Sequence, residues 1–76
     1  MTDIPNEDRL ATELGAVIAA LEEAKVTMTC ANEALASSDY RCMSEDLWRS
    51  AAAAERAAVH FRGAAALAQR ISEGRP

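Results

Sequence analysis

An unbroken heptad seam from Leu10 to Leu35 constrains this chain more than any other feature. Apolar positions recur at Leu10, Leu14, Val17, Leu21, Ala24, Met28, Ala31 and Leu35, alternately four and three residues apart. That alternation averages about 3.5 residues per turn, so the stripe keeps facing one neighbouring helix along its whole length. One row of the stripe is bulky (Leu14, Leu21, Met28, Leu35) and the other is smaller (Leu10, Val17, Ala24, Ala31). Beside it run small residues, Ala20, Thr27 and Ala34, with Ile18 on the opposite edge. A helix with this pattern requires a partner helix, and the rest of the chain must supply it.

The first helix is expected over about residues 6–37, with Asn6 as its N-cap and Glu7 and Asp8 favoured by the helix dipole. Ser37-Ser38-Asp39-Tyr40 collects turn-forming residues, each able to hydrogen-bond nearby backbone. Ser44, followed by Glu45 and Asp46, then reads as the cap of a second helix over about 44–72, which Gly74 stops. Its inner row is expected to be Leu47, Ala51, Ala54, Ala58, Phe61, Ala65 and Ala68, two bulky knobs among small holes. Arg49, Arg56, Gly63 and Arg70, spaced by sevens, fall on the solvent side with Arg62 alongside. The fold class that follows is all-α: an antiparallel helical hairpin folded back at about residue 40. It makes a single domain over 1–76, with short flexible ends at 1–5 and 74–76.

Composition decides what such a hairpin needs. Of the 38 residues counted as apolar, 18 are alanine, and Leu, Ile and Val together number 12. Each alanine removes little apolar area from water, and a domain of this size buries only about 60% of its unfolded surface. No disulfide framework is evident, so oligomerisation is the expected remedy. Ile18, Val59, Leu67, Ile71 and Trp48 stay uncovered in one hairpin; a second hairpin would cover them, giving a homodimeric four-helix bundle.

The net charge of −4 disfavours general binding to a nucleic-acid backbone. No stretch approaches the roughly 20 apolar residues of a membrane span. The start of the chain has neither a basic segment nor an apolar core of a secretory leader. Cytoplasmic localisation with free thiols is therefore the expectation.

Little here points to chemistry. Cys30 and Cys42 lie twelve residues apart without a Cys-x-x-Cys motif, so no zinc site is expected. His60 has Ala57, not Glu, three residues before it, which disfavours di-iron carboxylate chemistry. No metal, no cofactor and no catalytic residue are assigned, and the chain is read as a non-enzyme. Two surfaces remain. Tyr40, Met43 and Trp48 cluster near the hairpin tip, a composition typical of protein-binding hot spots. Arg49, Arg56, Arg62 and Arg70 form the best anion-recognition column. The expected function is a small protein–protein interaction module acting as a homo-oligomer, an adaptor or inhibitor of the phage or mobile-element kind. The alternative is a nucleic-acid or nucleotide-binding bundle using the arginine face.

Overall fold

The computed structural model describes residues 5–74. Two helices, α1 (Asn6–Ala36) and α2 (Tyr40–Ser72), pack against each other as an antiparallel hairpin. There is no strand among the described residues. A continuous helix through residue 40 is excluded. Of the expected flexible ends, residues 1–4 and 75–76 lie outside the described residues.

Both ends of α1 differ from expectation, for local reasons. At the start of α1 the capping position falls on Pro5, not Asn6, and no side chain bonds there. The Pro5 carbonyl instead accepts from the amides of Asp8 and Arg9, both at 3.1 Å. At the other end Ser38 takes a left-handed conformation with φ 56°. The amide of Asp39 then donates to the Ala34 carbonyl at 2.9 Å, and that of Ser38 to Leu35 at 3.0 Å. This is the Schellman closure, built on a serine where glycine is usual.

The chain re-enters helix at once. The Asp39 carboxylate accepts from the Cys42 amide at 3.2 Å, so Asp39 caps α2 and Ser44 does not. The second helix therefore begins four residues earlier than its expected start, and the turn centres on Ser38, not on residue 40. At the far end Gly74, with φ 72°, closes α2 where expected.

The inner face of α2 is the main correction. Its covered residues are Met43, Asp46, Ser50, Ala53, Ala57, His60, Gly63, Ala64, Leu67 and Ile71, with Ala58 at their margin, a three–four alternation set one residue before the expected row. One residue is about 100° of helix rotation, so Leu47 and Phe61 turn outward. On α1 the covered rows are Leu10, Val17, Ala24, Ala31 and Glu13, Ala20, Thr27, Ala34. The bulky row Leu14, Leu21, Met28 and Leu35 is left exposed. The rotation has a physical reason: alanine against alanine lets the backbones approach closely, and polar pairs in the seam hold that register. The hydroxyls of Thr27 and Ser50 meet at 2.6 Å, and His60 Nδ1 lies 2.8 Å from Glu13 Oε2.

Candidate functional site

The hairpin has two unlike flanks. On one, Glu23 of α1 pairs with Arg56 of α2 across the edge of the seam. Helical periodicity puts Arg49 and Arg70 in the same row as Arg56. Since this ion pair fixes which edge is which, the rows on the opposite edge of both helices share the other flank. That flank carries Leu14, Leu21, Met28 and Leu35 from α1, with Ile18 beyond them. From α2 it carries Tyr40, Leu47 and Phe61, with Ala51, Ala54, Ala58 and Ala65 between and beside them. All these residues are exposed except Ala58, which is half-buried.

This face holds most of the bulky apolar side chains. Within the hairpin the buried apolar residues are Val17, Leu67 and six alanines, and no large side chain is fully enclosed. Meanwhile Ile18 is 57% exposed, Phe61 50% and Leu14 45%. The expectation for Leu67 and Ile71 is corrected: Leu67 is buried in the seam and Ile71 half-buried. Val59 is exposed, but on the charged flank. The chain exposes 5685 Å² in total.

The tip residues come together. Tyr40, Met43 and Trp48, with Ser44, Leu47 and Ala51, line an open, mostly apolar groove of about 430 Å³ along α2. Trp48 is 76% exposed and does not lie over the loop. A second open groove, about 510 Å³, runs along α1 between Leu21, Ala24, Lys25, Met28, Thr29 and Asn32.

The arginine column is not gathered into a cationic site. Arg56 is paired with Glu23, and Arg49 Nη1 donates to Asp46 Oδ1 at 3.2 Å. Arg62 and Arg70 are exposed in separate rows. Arg41, outside that column, reaches Glu45 at 3.8 Å. Of the thiols, both are exposed. Cys42 Sγ stands 3.7 Å from Asp46 Oδ2. The negative charge of Asp46, then burial, then Asp39 push this thiol up from its ordinary range. No group of three or more His, Cys, Asp or Glu side chains suited to hold a metal occurs among the described residues. None of the described helices is long and apolar enough to cross a membrane.

Sequence reasoning missed the exposed face because hydrophobicity alone assigned the bulky rows inward. The signal that identifies the true seam is volume, not hydropathy. Rows of Ala, Ser, Thr and Gly that match across two helices mark the closest approach. No protein-family model, curated protein or solved structure matches this chain.

Proposed function

We propose that this chain is a small, non-enzymatic protein–protein interaction module of adaptor or inhibitor type that works as a homodimeric four-helix bundle. The observation that carries this reading is the uncovered face spanning Leu14, Ile18, Leu21 and Met28 on α1 and Leu47 and Phe61 on α2. A folded monomer of 8.1 kDa exposes on the order of 4,500 Å², well below the 5685 Å² of the hairpin. The excess is of the order that one partner contributes to a standard interface, about 800 Å². Contiguous apolar surface of this extent on a small domain marks an interaction site. Each half-exposed Leu, Ile or Phe that it covers would add about 1 kcal/mol, which the alanine seam alone lacks.

A second copy suits the face because the two hairpins bring the same surface to each other, as a two-fold interface requires. Pairing of Arg49 and Arg56 with acids favours this reading over recognition of a polyanion. Sedimentation equilibrium at tens of micromolar tests it directly. The expected mass is twice 8.1 kDa, and Leu14→Glu with Leu21→Glu lowers it to that of one chain. A wild-type mass of one chain across that range overturns the proposal.

A further inference from the structure

We infer that the two hairpins assemble with both turns at the same end of the bundle, so that α1 of each copy lies over α2 of the other. This rests on the dimeric reading above and names the partner of the Tyr40–Met43–Trp48 groove: Met28 and Leu35 of a second copy.

Three observations carry it. First, the two grooves overlap in height along the hairpin. The Thr27–Ser50 hydrogen bond ties together the α1 segment that contributes one groove and the α2 segment that contributes the other. Second, both grooves open on the apolar flank, opposite the Glu23–Arg56 pair. A two-fold axis along the bundle preserves height, so each α1 groove meets the α2 groove of the other copy. Leu47 then enters between Met28 and Leu35, which also bracket the hole beside Met43 and Ser44.

The third observation is side-chain size. On this face α1 presents a bulky row, and α2 presents Ala51, Ala54, Ala58 and Ala65 between its knobs. Large residues facing small ones fill a core with neither voids nor overlap. A two-fold across the bundle would instead stack α1 on α1, bulky row against bulky row, and set alanines against alanines at α2. The first arrangement gives every helix pair one bulky and one small partner; the second divides the bundle into a crowded half and a thin half.

Cys42 reports the difference without disturbing the interface. It is exposed and lies in the row of Arg49 and Arg56, on the charged flank. A C30S chain carrying a nitroxide on Cys42 is measured by pulsed electron double resonance, with its mass determined in the same buffer. Turns at one end place the two Cys42 backbones within about 20 Å, two helix spacings. Turns at opposite ends separate them by most of the 54 Å length of the hairpin. A short distance supports the inference. A long distance from a chain of dimeric mass overturns the arrangement and leaves the dimer standing. Monomeric mass with no dipolar coupling overturns the dimer itself.

Discussion

The hydroxyl oxygens of Thr27 and Ser50 lie 2.6 Å apart, midway along the seam between the two helices. Each also has a backbone carbonyl within reach: Glu23 and Ala24 for Thr27, Asp46 for Ser50. Each hydroxyl has one proton, so one donates across the seam and the other to its own helix. Removing one partner leaves the survivor half-satisfied in a site where water has little access. Ser50→Ala is therefore expected to cost about 1 kcal/mol in urea unfolding. Thr27→Ala added to Ser50→Ala is expected to cost at least about 0.5 kcal/mol less than the sum of the single changes. Strict additivity of the two would mean that the hydroxyls do not act as a pair.

The turn offers a change in the opposite direction. Ser38 holds φ 56°, a region that costs an L-residue about 1–2 kcal/mol and glycine almost nothing. Ser38→Gly is expected to raise the free energy of unfolding by roughly 1 kcal/mol, less what the unfolded chain gains in freedom. Asp39→Ala removes the side-chain acceptor of the Cys42 amide and should lower stability by about 1 kcal/mol. Thermal unfolding of the two variants beside the parent reads both signs in one experiment.

That turn shows where a sequence speaks and where it stays silent. The helix type, the hairpin and the antiparallel course were legible, because heptad spacing and a run of Ser-Ser-Asp leave few alternatives. The exact cap was not: Ser44 and Asp39 are both good capping residues, and only the left-handed Ser38 before it selects Asp39. The face of α2 was misassigned for a different reason. Asp46 and Ser50 are polar, and hydropathy places them outside. Asp46 is nevertheless 5% exposed, because Arg49 and Cys42 satisfy its carboxylate and because small neighbours bring the helices together there. The Tyr40–Met43–Trp48 cluster could be read from helical spacing alone, whereas its continuity with the Leu14–Leu35 row required the true rotation of both helices.

The two glycines inside helices predict unlike outcomes for the same substitution. Nothing lies within 4 Å of a Cβ built on Gly15, so Gly15→Ala should gain about 1 kcal/mol of helix propensity. At Gly63 such a Cβ would sit 3.0 Å from Glu13 Oε2, the same oxygen that meets His60 at 2.8 Å. Gly63→Ala gains the same propensity but pushes the Glu13 carboxylate off the imidazole. The expected stability gain is smaller than at Gly15. The nitrogen resonances of the His60 ring should move in Gly63→Ala and hold still in Gly15→Ala. Equal gains with an unmoved His60 would show that Glu13 has another resting place.

Cys42 should behave as a subdued thiol. The carboxylate of Asp46 lies 3.7 Å from its sulfur, and that charge, burial and Asp39 all favour the protonated form. The thiolate is the nucleophile, so at any given pH the folded chain presents less of it than the unfolded chain does. In a Cys30→Ser background, the pH profile of iodoacetamide alkylation at Cys42 should lie at higher pH in native buffer than in urea. Asp46→Asn should bring the native profile back toward the unfolded one, since it removes the largest cause. The linked effect on stability has a definite sign. A thiol held up in the folded state binds its proton more tightly there, so its contribution is present below the unfolded thiol's range. That contribution is lost as pH rises through the folded one. Coincident native and unfolded profiles would mean that Asp46 turns its charge away from the sulfur, toward Arg49.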